Sequence, residues 1–301
     1  MNIDNIEFVI TGKLIKVASI KDELWIEKHF TQKEIDALLQ EIKHRKLKAA
    51  IFTFCQDLPD TQPKFNYPME WDNFAAIEIS TYDNWWMKKL PQVTRKSVRR
   101  GYKRGVEVRV SEFDDKLVEG IVNIYNETPV RQGRKFPHYG ADFDYVKKGN
   151  ASYLNSSDFI CAYHQETLIG FIKLVYIGSV AQIMQIISMN KHQDKRTTNI
   201  LIAKAVEICV EKKMRYFIYG KYIYGNKGES PITIFKERNG FEMIQYPRYY
   251  IPLSAVGKLA VKFKLYQGLD SFIPKKLLIF LLNLRARWYQ KQYQPEQDDA
   301  E

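Results

Sequence analysis

Between Asn126 and Phe143 the chain reads NETPVRQGRKFPHYGADF, a stretch that holds Glu127, Arg131, Arg134, Lys135, His138 and Tyr139. A segment that merely connects two elements rarely gathers so many ionisable groups, and loops held by a rigid scaffold are where binding side chains concentrate. His138 carries the side chain whose ordinary pKa lies nearest neutrality, which suits a proton acceptor; Glu127 is the other candidate base. A structural reading competes with this one, because Glu127 and Arg131 are spaced to bridge each other at a helix end. A second stretch, QDKRTTNILIAKA from Gln193 to Ala205, changes from polar and cationic to apolar where a helix begins. Thr197 or Thr198 can cap that helix, and Lys195 and Arg196 add positive charge to amides that already favour an anion. The alternative there is a solvated basic turn.

Several elements must position these groups. Phe159–His164, Leu168–Ile177 and Val180–Ser188 read as strands joined by tight turns. After Asn190–Asn199 the apolar period changes from two to about 3.6, and Ile200, Ala203, Val206 and Val210 mark one face of a helix. Arg215–Tyr224 reads as a further strand, and Ile232–Arg238 as a short helix closed by Asn239–Gly240, where glycine suits the left-handed conformation that ends helices. Upstream, Asp114–Asn126 is an amphipathic helix with Leu117, Ile121 and Ile124 facing a core. The first eighty or so residues read as a small α/β half. It has a hairpin turning at Thr11–Gly12, a helix capped by Thr31 with Glu34 at the capping-box position, and strands at Lys48–Cys55 and Ala75–Ser80. Pro247–Ser254 alternates and reads as a last strand.

Between these halves the composition shifts. Trp85 and Trp86 are followed by Arg95, Lys96, Arg99, Arg100, Lys103 and Arg104, and on a helix Arg95, Arg99 and Lys103 fall one turn apart. Like charges at that spacing repel, so the face meets either solvent or an anion. Over the whole chain 46 basic side chains against 35 acidic ones give +11, which favours polyanionic partners or an anionic membrane surface. Cys55, Cys161 and Cys209 lack metal-ligand spacing and read as buried thiols of a reducing compartment, so no metal is expected.

The order of elements, a β-meander followed by a helix, a strand and a helix ending FKERNGF, resembles the GNAT (N-acetyltransferase) fold. The segment LPQVTRKSVRRGYKRGVEVRV is similar to the basic helix before the second domain of the Fem-type (FemAB) peptidoglycan peptidyltransferases. The resemblance implies an α/β (α+β) chain with a mixed central sheet flanked by helices. It implies transfer of an acyl group from a thioester donor, acyl-CoA, to an amine or hydroxyl of a small-molecule, sugar or lipid-linked envelope-precursor acceptor. The donor would enter a gap between Val180–Ser188 and Arg215–Tyr224. There the backbone near Gln185 and Ile187 would bind the oxyanion, and Gln193, Lys195, Arg196, Thr197, Thr198 and Asn199 would surround the donor phosphates. By the same resemblance Arg131, Arg134, Tyr139 and Lys221 contact the acceptor. By the resemblance Tyr222 would be the general acid, one of the tyrosines Tyr219, Tyr222 and Tyr224 on the strand bordering the gap, of which Tyr222 and Tyr224 share a face.

Two departures from the family pattern stand out. Arg196 and Thr198 occupy the places of the two glycines that let a backbone approach pyrophosphate, and Lys236 falls where many GNAT enzymes keep an acidic tyrosine. Fem-type enzymes also lack that glycine loop and use aminoacyl-tRNA, the alternative donor, for which the basic helix would be the contact. A non-catalytic GNAT-fold binding module is the third reading.

Val256–Tyr293 is basic and apolar. Leu277, Phe280, Leu281, Leu284 and Trp288 form one helical stripe flanked by Lys275, Lys276, Arg285, Arg287 and Lys291, suited either to a membrane interface or to a hydrophobic face of the same protein. The expected organisation is 1–80, a GNAT-like domain 81–254, a helical extension 255–293 and an acidic tail 294–301. With no secretory signal and no spanning apolar run visible, a cytoplasmic protein is expected, peripheral at the membrane.

Overall fold

The computed structural model describes residues 2–3, 6–28, 30–224, 230–267 and 275–293. Two compact units are present, one of residues 1–76, 220–226 and 242–272, the other of 77–219, 227–241 and 273–301.

The first unit is a sheet with helices. Its strands are β1 (Asn2–Ile3), β2 (Ile6–Thr11), β3 (Val17–Ile20), β4 (Ile51–Cys55), β5 (Met69–Glu78) and β13 (Glu242–Pro252), in the order β1-β2-β3-β4-β13-β5. Helix α1 (Gln32–His44) begins at the capping box the sequence announces: Thr31 accepts from the Glu34 amide while Glu34 accepts from the Thr31 amide. Its apolar face, Ile35, Leu38, Leu39 and Ile42, packs with Phe52, Phe54 and Tyr249. Helix α8 (Ala255–Lys262) follows β13. The last strand therefore lies apart from the expected domain 81–254, because β13 pairs antiparallel with both β4 and β5 and takes its chain into this unit.

The second unit holds the remaining elements. After α2 (Tyr82–Asn84) and a turn over Trp85–Lys89 comes the basic helix α3 (Gln92–Lys103), started by Pro91, where the missing N–H costs nothing. Then follow β6 (Val106–Ser111), α4 (Asp115–Tyr125), the hairpin β7 (Val130–Arg131) and β8 (Arg134–Lys135), and α5 (Phe143–Asn150). The meander β9 (Ser157–His164), β10 (Thr167–Ile177) and β11 (Val180–Ser188) leads to α6 (Thr197–Glu211), β12 (Tyr216–Ile218), α7 (Pro231–Arg238) and α9 (Lys275–Tyr293). The strands run in the order β12-β11-β10-β9-β6, with β11 and β12 parallel and the others antiparallel. This is a mixed sheet flanked by helices.

Successive residues of β10 serve opposite faces. Phe171 joins the core made with Leu117, Val118 and Ile121 of α4. Gly170 faces the start of α6, where a Cβ would lie 2.8 Å from Thr197 Cγ2 and 3.0 Å from Ser188 Cβ. A glycine there lets the first turn of α6 come down onto the sheet. Gly101 does the same for α3: a Cβ would meet Ile200 Cδ1 at 2.1 Å and the Lys195 carbonyl at 2.4 Å. No described helix is long and apolar enough to cross a membrane.

Candidate active site

The parallel ladder between β11 and β12 is short. It comprises Val180 with Tyr216, Ala181 with Phe217 and Gln182 with Ile218, after which β12 ends and β11 continues to Ser188. Just beyond the last pair β11 carries a bulge: Ile183 pairs with Leu174 and Gln185 with Lys173, so Met184 is the extra residue. A bulge bends its strand and re-aims its groups, which is what parting two strands requires. The expected strand Arg215–Tyr224 stops at Ile218 because the chain crosses to the first unit at Gly220, whose φ of +55° is glycine's territory. There the Ile223 amide donates to Asn73 Oδ1 at 2.8 Å. Two expected site residues leave with it. Lys221 pairs with Asp72 at 2.8 Å, and Tyr222 sits in the same segment of the first unit, off β12. Their assignment needed a strand that continued past Ile218.

Tyr219 takes the end of the strand instead, and Lys236 of α7 lies against it, its Nζ 4.5 Å from the ring centroid. Lys236 is 0% exposed. Burial lowers its pKa from the ordinary 10.5 to about 8, so at neutral pH it still carries a charge but releases it far more readily than a surface lysine. Phe241 packs on both Phe217 and Tyr219, closing that wall. The sequence resemblance put Lys236 at a general-acid position; only packing shows that it is buried.

The connection from β11 to α6 is held from several sides. Ser188 and Thr198 hydroxyls are 3.1 Å apart. Arg196 is the residue before the helix, in left-handed backbone with φ +55°, the conformation a glycine would take here without strain. Neither threonine caps the helix as expected: Thr197 is its first residue, buried with no partner for Oγ1 among the described residues, and the first amides of α6 have no side-chain cap. Gln193 is exposed and its carbonyl accepts from the Arg196 amide at 3.1 Å. Lys195 is half-buried, 3.6 Å from Asp194, which also pairs with Arg104, just after α3, at 3.1 Å. Asn199 bonds Asn239 at the end of α7, so the start of α6 and the helix bearing Lys236 are tied together.

The polar loop after α4 is built into this arrangement. Glu127 accepts from the amides of Asn190 and Lys191 at 2.7 and 2.8 Å and from Arg131 at 3.0 Å. Arg131 also donates to the carbonyls of Ser188 at 2.7 Å and Ile124 at 2.9 Å, and lies over the Phe136 ring. The bridging reading of this pair describes what the structure shows, and both side chains are occupied within the fold. His138 is stacked on Tyr125 with centroids 4.6 Å apart, and its buried Nδ1 has no partner among the described residues. Burial lowers its pKa, so the ring is neutral at pH 7. The Tyr125 hydroxyl donates to Gln185 on β11 at 2.7 Å, which connects the stacked pair to the bulge, while Ile187 lies further along β11. Arg134 and Tyr139 are exposed.

Solved structures share this fold. FemX superposes with a TM-score of 0.60 at 12% identity over 85% of this chain and 86% of FemX. The L-PGS from Bacillus licheniformis gives 0.56 at 14% identity over 87% of this chain and 86% of that one. The C-terminal domain of a putative lysylphosphatidylglycerol synthetase from Agrobacterium fabrum gives 0.56 at 13% identity, covering 85% and 83%. The fold is GNAT-like, of the Fem type. No protein-family model and no curated protein matches the sequence. The strands β11 and β12 and the first turn of α6 are the elements the sequence resemblance assigned to the donor. The basic helix α3 lies beside them. Lys96, Arg99, Arg100 and Lys103 are exposed on it, and so is Arg104, which follows its last residue. Arg95 is withdrawn from the expected cationic ladder, because it donates to the carbonyls of Trp86, Met87 and Leu90 at 2.8 to 3.1 Å.

Proposed function

We propose that this chain is a transferase that moves an acyl group from an activated ester or thioester to an amine or hydroxyl, in the gap between β11 and β12. Aminoacyl-tRNA is the favoured donor. The observation that carries this is the packing of α3 on the start of α6: exposed cations of α3 continue the positive charge of Lys195 and Arg196, a footprint larger than one pyrophosphate. Acyl-CoA, which the family resemblance suggests, is the second reading. It is favoured by the uncapped first amides of α6, which remain available to a phosphate.

In the step itself the nucleophile attacks the carbonyl carbon, the oxyanion forms, and the bond to the ribose oxygen or the thiol sulfur breaks as that atom takes a proton. Neutral His138 accepts the nucleophile's proton, and charged Lys236 faces the developing negative charge and supplies the leaving group's proton. Backbone amides near Gln185 and Ile187, on the freed edge of β11, are the other oxyanion donors. Glu127 and Arg131 hold the connection that shapes the donor site, while Arg134 and Tyr139 are free to meet an acceptor. A small molecule, a sugar or a lipid-linked precursor bearing an amine or hydroxyl fits these roles.

Filter binding and transfer assays with labelled aminoacyl-tRNA test this reading. Binding should weaken steeply with salt, by about 0.7 to 0.9 decades per decade of salt for each phosphate contact, and the slope should fall when Arg99, Arg100 and Lys103 are changed to alanine. Heat and turnover with acyl-CoA in the absence of RNA binding would establish the second reading. Silence with both donors would leave a binding module.

A further inference from the structure

Helix α9 is seated by one side and bare on the other. Gly133, at the tip of the β7–β8 hairpin with φ +68°, has Ala286 so close that a Cβ on the glycine would lie 2.7 Å from the Ala286 Cβ. On the opposite side Leu277, Phe280, Leu281, Leu284 and Trp288 are between 47% and 57% exposed, so none of the stripe is buried against the described residues. At 3.6 residues per turn Ala286 lies about 180° from the centre of that stripe, and Arg285 and Arg287 fall about 80° to either side of it. Both arginines are exposed, Lys291 is exposed near the C-terminal end, and no acidic residue occurs between Lys275 and Tyr293.

We infer that α9 is a membrane-surface helix that seats the apolar stripe in the interfacial layer of an anionic lipid bilayer. An apolar strip with a cation on each flank matches a bilayer at two levels, acyl chains below and anionic headgroups at the height of the guanidiniums. The net charge of +11 adds long-range attraction. A second copy is a poorer occupant, because an isologous pairing of two such stripes sets like cations beside each other with no carboxylate on the helix to offset them. Since Ala286 rests on Gly133, a docked α9 holds the β7–β8 hairpin at the bilayer. Docking stands independently of the proposed transfer chemistry.

The test is sedimentation of the full chain with vesicles of phosphatidylcholine alone and of phosphatidylcholine mixed with phosphatidylglycerol, without donor or acceptor. The protein should pellet with the anionic vesicles, less so as salt rises. Arg285→Gln combined with Arg287→Gln should lower partition ~30-fold, from ~5-fold per cation. Leu281→Ser combined with Trp288→Ser should abolish it with an unchanged circular dichroism spectrum. Should that variant fold poorly, the arginine pair alone decides the matter, because it leaves the stripe intact. Failure of the parent protein to bind anionic vesicles, or undiminished partition of the arginine variant, overturns the proposal. So does a lipid-free dimer that the serine substitutions dissociate.

Discussion

Asn199, in the first turn of α6, donates from its side-chain amide to the side-chain oxygen of Asn239 at 3.0 Å. Asn239 is almost fully buried, and its own amide returns to the Phe235 carbonyl at 2.7 Å while its backbone oxygen accepts from Trp85 Nε1 at 3.2 Å. One residue thus joins the start of α6 to the helix that carries Lys236. Asn239→Ala should cost about 2 kcal/mol of stability, because it leaves buried partners unsatisfied, whereas Asn199→Ala, half-buried, should cost about 1. Chemical denaturation of both variants and the double variant checks the coupling: the double should cost less than the sum.

Lys236 sets the alkaline limit of the proposed reaction. With a pKa of about 8 it is charged below that pH and neutral above it, so turnover should decline as pH passes through about 8. Lys236→Met should lower kcat by about a hundredfold and remove that limb, while Lys236→Arg, which stays charged, should shift the limb out of range. A methionine variant with an unchanged pH profile would remove Lys236 from the chemistry.

Buried lysines also leave a signature in stability. Lys173, 1% exposed, donates to the carbonyls of Asn150 and Ser152, and burial lowers its pKa from 10.5 to about 8, as for Lys236. Below about pH 8 folded and unfolded chains both hold these protons. Between about 8 and 10.5 the unfolded chain keeps protons the folded one has released, so stability rises with pH, by up to ~3 kcal/mol per lysine. Denaturation across this window should show the rise, and Lys173→Met should remove about half of it.

Glu127 and His138 are the two candidates for the base, His138 by its ordinary pKa the better suited, and their surroundings separate them. Glu127 holds two loop amides and Arg131, so Glu127→Gln, whose amide nitrogen must face one of those donors, should cost about 2 to 3 kcal/mol and leave the acid limb of the pH profile in place. His138→Gln should remove that limb, which lies below the ordinary histidine value because burial lowers this pKa. Loss of the limb in the Glu127 variant would reverse the two roles.

Arg196 stands in backbone that glycine adopts freely. Arg196→Gly should relieve about 1 to 2 kcal/mol of left-handed strain against about 0.5 to 1 kcal/mol of added chain entropy, a small net gain in melting temperature. It also removes a cation from the proposed donor site, so polyanion affinity should fall while stability rises. Paired thermal melts and salt titrations separate the two effects.

Much of the fold was legible along the chain. The Thr31–Glu34 box, the apolar stripe of α4, the meander periods and the glycine after Asn239 are written in neighbouring residues, and local sterics and hydrogen bonding decide them. The locations of the polar loop and the α6 start were legible for the same reason. What the chain order could not carry was pairing between distant segments. Asn73 draws Ile223 away from β12 and takes Lys221 and Tyr222 with it. Tyr219 and Phe241 bury Lys236, two loop amides occupy Glu127, and Gly133 fixes which side of α9 is bare. Each of these is set by which surfaces meet, and a residue's charge or alternation is the same whether its partner is water or a segment far away in sequence.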